Sequence, residues 1–174
     1  EVLGYSMKDL CFQEDTELNQ TEYTQPAILT VSTAFTALLR EAGITADYLA
    51  GLSLGEYTAL VEAGVLSFED AVDLVSHRGR FMQAAAPAGA GKMVAVMKAE
   101  RALIEEICQQ VREASGQYVA PANYNTPKQI VIGGDASAVD TAVAKLTEAG
   151  VKKMVELNVS GPFHTALLSQ ASDQ

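Results

Sequence analysis

The 174-residue sequence predicts an α/β protein in two parts. Two observations carry this. Residues 92–160 run strand, helix, strand, strand, helix, strand, which is the βαββαβ order of a ferredoxin-like unit. Ahead of them, "YLAGLSLGEYTALVEAG" (48–64) sets Ser53 between Gly51 and Gly55, where a short apolar run meets a helical one. That context predicts a strand–turn–helix of the nucleophile-elbow type.

The elements follow in order. Residues 1–20 are polar and read as irregular or weakly helical. A helix is predicted from Pro26 to Glu41, with proline in its first turn and Gly43 past its end. Tyr48–Ala50 predicts a short strand, then the Ser53 turn and a helix over Leu54–Ala63. "SFEDAVDLVSHRGRFMQAA" predicts another helix, opened by a capping box of Ser67 and Asp70. "APAGAGK" (86–92) reads as the linker into the second part. There "KMVAVMK" is a strand, and "AERALIEEICQQVREASG" is a helix closed by Gly116. "QYVAPANYN" and "KQIVIGGD" are strands joined at Asn125-Thr126-Pro127, where Asn123 and Asn125 either fix the β-turn or shape a loop near the Ser53 site. "ASAVDTAVAKLTEAG" is a helix closed by Gly150. "KKMVELNVS" is the last strand, with Val155, Leu157 and Val159 alternating against Glu156 and Asn158.

Hydrophobic residues make up 48% of the chain and charged ones 20%, an ordinary globular balance. No apolar run approaches the ~20 residues of a membrane helix, and no signal-peptide pattern opens the sequence. Cys11 and Cys108 lie far apart and read as reduced thiols rather than a disulfide or metal pair. These features point to the cytoplasm. The net charge of −10 argues against nucleic acid as a partner. An anionic ligand would then need a few basic residues acting locally against the overall field. The chain starts without methionine and ends in "HTALLSQASDQ", part-way into a helical pattern, so a fragment is expected.

A serine hydroxyl is a poor nucleophile until a base takes its proton. A sharp turn with small flanking residues presents it at a helix N-terminus. There the Leu54 N–H and the helix dipole favour a developing oxyanion. The pattern fits esterases, thioesterases and acyltransferases, and it also fits a glycine-rich turn that only packs well. In the next helix, Ala71, Leu74, Val75 and Met82 mark a buried face, and Arg78 falls on it, while His77 and Arg80 turn to the polar side. An arginine on a buried face needs a partner. Either it closes an internal salt bridge, or its planar fork clamps a carboxylate on a substrate. Of the two histidines, His164 follows the last strand in "NVSGPFHTALL", where catalytic groups gather in open sheets. It is either a loop-capping residue or the base that partners Ser53.

Together "TEYTQPAIL", "AGLSLGEYTALV", "RGRFMQ", "NYNTPKQIVIGG" and "SGPFHTALL" are similar to the malonyl-CoA:acyl carrier protein transacylase family of fatty acid synthesis. That family is related to polyketide synthase acyltransferase domains. The matches run nearly end to end and in the family's order. The resemblance implies a hydrolase-like parallel-sheet core with an inserted ferredoxin-like subdomain. It assigns residues 1–88 and 159–174 to an incomplete core and 89–158 to the insertion. It implies Ser53 as acyl nucleophile, His164 as its base, the Leu54 N–H as half of the oxyanion hole and Arg78 as the partner of the malonyl carboxylate. Gln25 lies near the site by the same resemblance, or serves only as a polar residue at a helix start. Phe163 resembles the bulky residue that crowds out an α-methyl branch. Leu52 stands where many relatives have histidine, which removes one polar contact near the substrate.

No metal or redox cofactor is implied. The implied partners are malonyl-CoA and acyl carrier protein, with no nucleic acid, no membrane and a monomeric protein. Carrier protein is acidic, so Arg80, Lys92, Lys128, Lys152 and Lys153 are docking candidates, or ordinary surface charges. The family's Gly-Gln-Gly segment, source of the second oxyanion donor, is not in the sequence, nor is the part that orients the histidine. The 174-residue polypeptide by itself is therefore expected to be inactive or nearly so. A thioesterase of the α/β-hydrolase type and a non-catalytic carrier-protein docking domain are the alternatives. Arg78 and the inserted unit weigh against the first, and the retained Ser53, His164 and Arg78 against the second.

Overall fold

The computed structural model describes residues 2–14, 16–85, 89, 91–159 and 161–172. Most of the expected linker (86–88 and 90) and the end of the expected C-terminal helix (173–174) lie outside the described residues. The chain divides into two units, Glu1–Phe81 and Met82–Gln174.

The first unit is helical. Helix α1 (Met7–Phe12) starts where the Ser6 hydroxyl accepts the Asp9 N–H at 3.2 Å. A 3-10 turn at Glu17–Asn19 leads into α2 (Thr21–Glu41). This helix begins five residues before the expected Pro26, because the Gln20 carbonyl already accepts the Tyr23 and Thr24 N–H groups, each at 2.9 Å. Pro26 therefore lies in the second turn rather than the first, with its ring fully buried.

The expected strand Tyr48–Ala50 does not form. Tyr48 is 94% exposed, and no neighbouring strand among the described residues supplies the ladder that extended backbone needs. Helix α3 (Gly55–Glu62) follows the Ser53 turn. Helix α4 (Phe68–Ala85) opens with half of the expected capping box: Ser67 Oγ accepts the Asp70 N–H at 3.0 Å, while the Asp70 carboxylate accepts the Ser67 hydroxyl at 2.7 Å instead of its backbone N–H.

The buried stripe of α4 is Ala71, Val72, Val75, Ser76 and Gly79. Leu74, expected on that face, is 45% exposed, and Met82 is only half-buried. The helix is turned so that its small residues face α2. A Cβ on Gly79 would meet the Glu22 Cα and the Thr21 carbonyl oxygen at 2.8 Å. Arg78 consequently sits half-buried at the margin of the stripe rather than on it. The core of this unit is Leu29, Ala71, Val72 and Val75, with Leu54, Tyr57, Val61 and Phe68 packed around it.

The second unit is the expected ferredoxin-like arrangement. Its elements are β1 (Gly91–Met97), α5 (Arg101–Ser115), β2 (Val119–Thr126), β3 (Gln129–Asp135), α6 (Ala136–Glu148) and β4 (Lys153–Glu156). The sheet order is β2-β3-β1-β4, and every pairing is antiparallel. No parallel sheet occurs among the described residues, so the parallel core implied by the resemblance is not among them. Helix α5 ends at Gly116, whose φ of 70° lies in the left-handed region that glycine adopts without steric cost.

The central strand β1 is buried on both faces. Val94 and Val96 face α5 and α6 in a cluster with Ile104, Cys108, Val139 and Leu146. Met93 and Ala95 face the other way, against Val131, Leu157 and Phe163. Burial pushes the Cys108 thiol up to about 11.

Strand β4 is shorter than expected, and Val155 and Val159 are 48% and 41% exposed. After Glu156 only the Leu157 N–H still reaches β1, at the Met93 carbonyl. The Val159 N–H then turns back to the Leu157 carbonyl at 3.0 Å, a tight turn that carries the chain out of the sheet before the alternation continues.

Candidate functional site

The Ser53 turn is built from the backbone. The Gly55 N–H donates to the Leu52 carbonyl at 2.9 Å and the Tyr57 N–H to the Leu54 carbonyl at 3.1 Å, so α3 starts immediately after the serine. Gly51 is required by space: a Cβ there would lie 2.1 Å from the Gly55 carbonyl carbon. Gly55 is not, since a Cβ there meets nothing within 4 Å among the described residues. Ser53 has a φ of 54°, a left-handed conformation that costs a non-glycine residue on the order of 1 kcal/mol. Such strain persists only where surroundings enforce it, and here it aims the hydroxyl. Leu54 occupies the N-cap position of α3, and its side chain packs into the core of the unit.

Arg78 reaches this turn from α4. Its Nη2 donates to Ser53 Oγ at 3.0 Å, and its Nη1 donates to Gln25 Oε1 on α2. Gln25 is 95% buried (5% exposed), which fixes the amide that holds the guanidinium. The guanidinium carbon also lies 5.6 Å from the centre of the Tyr57 ring on α3. Among the described residues Arg78 has neutral hydrogen-bond partners and no carboxylate. The internal salt bridge considered for it does not form. Its charge is left uncompensated beside the serine hydroxyl, which is how a fixed cation receives an anionic group.

Of the residues expected at the site, Ser53, Gln25 and Arg78 are thus brought together, all within the first unit. Tyr57 was not among them. Nothing in the sequence pattern marked it beyond its place on the helix that follows the Ser53 turn. Leu52 is 70% exposed. His77 sits on the polar side of α4 as expected, its Nδ1 2.9 Å from the Asp73 carbonyl.

His164 and Phe163 belong to the second unit. His164 is exposed and has a φ of 58°, so it shares the left-handed backbone of Ser53. Its turn is seated on the sheet. The fully buried Pro162 fills the space above Gly91, where a Cβ would lie 2.4 Å from the proline ring. Thr165 donates to the Pro162 carbonyl at 2.6 Å and rests its methyl 3.3 Å from the Cβ position of Gly133. Phe163 packs against Met93, Ala95 and Val131 rather than standing free in solvent.

Of the basic candidates, Arg80 pairs with Glu22 at 3.8 Å, and Lys92 with Asp140 and Glu156 at 2.7 and 3.3 Å. Lys128, Lys152 and Lys153 are exposed. Among the described residues, no cluster of three or more His, Cys, Asp or Glu suits a metal ion, and no helix is long and apolar enough to cross a membrane.

A family model described as "Acyl transferase domain" matches residues 1–174. The chain belongs to the acyl transferase domain family. It is 45% identical over 175 residues to the malonyl CoA-acyl carrier protein transacylase of Bacillus subtilis (strain 168), across 100% of this chain and 55% of that protein. The crystal structure of MCAT from Streptococcus pneumoniae is 57% identical, with a TM-score of 0.89 over 99% of this chain and 56% of that one. PlMCAT:AntF, a type II PKS acyl-carrier protein in complex with its malonyl-transacylase, gives 44% identity and a TM-score of 0.92, over 99% of this chain and 56% of that one. The chain spans about half the length of the curated relatives it matches.

Proposed function

We propose that the protein moves a malonyl group from malonyl-CoA to the phosphopantetheine thiol of acyl carrier protein in fatty acid synthesis, through a malonyl-serine ester. The observation that carries this reading is the Arg78 guanidinium, bonded to Ser53 Oγ and Gln25 Oε1 with no carboxylate partner among the described residues. A cation so held suits an acyl group with a free carboxylate. The names of the relatives, and the carrier-protein complex of one of them, support the same substrates. The proposal sets Ser53 within the family's hydrolase-like parallel core in a cytoplasmic, monomeric protein, and the two free thiols support the cytoplasmic part of that reading.

In the first step His164 takes the Ser53 proton as Oγ attacks the thioester carbonyl. The oxyanion accepts the Leu54 N–H. Collapse breaks the C–S bond, and the CoA sulfur leaves with the proton from His164. As Oγ becomes an ester oxygen, Arg78 passes from it to the malonyl carboxylate. In the second step the carrier thiol gives its proton to His164 and attacks the ester carbonyl. Ser53 leaves and regains that proton. Leu52 and Phe163 border the acyl group in this reading, and Phe163 disfavours an α-methyl branch.

Intact-mass measurement of the complete protein after mixing with malonyl-CoA tests the proposal. A malonyl adduct is expected on the native protein and none on Ser53→Ala. Release of free malonate with no adduct would instead identify a hydrolase. Arg78→Ala is expected to lower the preference for malonyl-CoA over acetyl-CoA by at least about tenfold, the worth of a lost hydrogen-bonded charge pair.

A further inference from the structure

We propose that Tyr57 is a positioning residue for Arg78 and thereby helps to set the preference for carboxylated acyl groups. The inference rests on the carboxylate-binding reading of Arg78. The Arg78 guanidinium carbon lies 5.6 Å from the centre of the Tyr57 ring, inside the range of a cation–π attraction. The ring is itself fixed, because Tyr57 packs against the buried cluster of Leu29, Ala71, Val72 and Val75. It is the third residue of α3, the helix that follows the Ser53 turn, so turn and ring are carried on one short continuous segment.

The chemistry gives this contact a task that the hydrogen bonds do not perform. In the free protein Arg78 spends its two terminal nitrogens on Gln25 and Ser53. Acylation turns Ser53 Oγ into an ester oxygen, a weaker acceptor, just as a carboxylate arrives. The guanidinium must then exchange an in-plane partner without drifting from the site. A ring attracts the charge of the cation as a whole and requires no particular N–H, so its attraction survives that exchange. Gln25 holds one nitrogen throughout, and Tyr57 holds the remainder of the group while Nη2 changes partner.

The test compares Tyr57→Leu, Tyr57→Phe and Arg78→Ala in the complete protein. Single-turnover formation of acyl-serine is followed with malonyl-CoA and with acetyl-CoA. Tyr57→Leu, which keeps the bulk but removes the ring, is expected to lower the malonyl-to-acetyl ratio about tenfold and to raise KM for malonyl-CoA. Tyr57→Phe, which restores the ring, is expected to restore the ratio. A Tyr57→Leu protein that loses both rates in proportion, whether through misfolding or a disturbed elbow, or that keeps the native ratio, overturns the proposal. Arg78→Ala separates the two levels of the argument. If it leaves the ratio unchanged, the carboxylate reading itself fails. If it lowers the ratio while Tyr57→Leu does not, only the role of Tyr57 fails.

Discussion

A methyl group added to Gly51 would meet the Gly55 carbonyl carbon at 2.1 Å, whereas one added to Gly55 meets nothing within 4 Å among the described residues. The two glycines flank Ser53 symmetrically in sequence and play different parts in space. Gly51→Ala is expected to destabilise the first unit by about 3 kcal/mol or more, because backbone and not a flexible side chain stands in the way. Gly55→Ala, at the first residue of α3, should change stability by less than about 1 kcal/mol. Chemical denaturation of the two variants checks the contrast, and equal losses would refute it. The sequence could show that a glycine-flanked serine was present but not which glycine the turn required. Arg78 was conspicuous because a charge among apolar neighbours is costly, yet the pattern placed it on the buried face and it lies half-buried at the margin, beyond an exposed Leu74. Tyr57 was not conspicuous, since an aromatic residue on a helix has the same pattern whether it fills a core or faces a cation.

At the scale of elements, the alternation and caps of residues 91–156 were sufficient to read every strand and helix of the ferredoxin-like unit. What they missed depends on neighbours. Tyr48–Ala50 has the composition of a strand but lacks a partner among the described residues, and β4 ends where its last bond to β1 ends. The seat of the His164 turn was equally hidden, because it is made by residues with no side chain to read. Gly91 leaves room for Pro162, and Gly133 for Thr165. Gly91→Ala must push a rigid proline ring, since three ring atoms would lie 2.4–2.8 Å from the new carbon. The turn should shift while the sheet, altered only at the first residue of β1, keeps its core. The malonyl transfer proposed for the complete protein, with His164 as its proposed base, is then expected to fall about 100-fold, the scale of a 1 Å misplacement, with a change of only a few degrees in Tm. Gly134→Ala supplies the contrast. Its new carbon would lie 2.1 Å from the Tyr118 carbonyl oxygen, so it should break β2–β3 pairing and unfold the unit. Losing Tm and activity together in Gly91→Ala would contradict a separately displaceable turn.

The two units differ in what holds them. Among the described residues, fourteen buried ones form the main cluster of the second, from Val94 to Val151, against four in that of the first. Helix α2 also exposes Ile28, Val31, Phe35, Leu38 and Leu39, a run of large apolar side chains at near-helical spacing. Burial of apolar area is the main favourable term in folding, so the 174-residue polypeptide should open its first unit well before its second. Cys108, wholly buried on α5, reports the opening of the second unit, whereas Cys11, half-exposed on α1, is accessible already in the folded protein. Under rising denaturant, Cys11 is expected to react with a thiol reagent at once and Cys108 only when the second unit unfolds. The pH dependence has a definite sign. Burial holds the Cys108 thiol at about 11, against 9.0 for an ordinary cysteine. Below pH 9 both states keep the proton, and the thiol leaves stability unchanged. From pH 9 towards 11 the unfolded chain gives up its proton first, and that draws the equilibrium towards unfolding by an amount on the order of 2 kcal/mol. Denaturation of the second unit should therefore become easier across that window in the native sequence, and less steeply so in Cys108→Ala. Equal slopes in the two proteins, or Cys108 reacting as readily as Cys11 at neutral pH, would contradict a dry, independently stable second core.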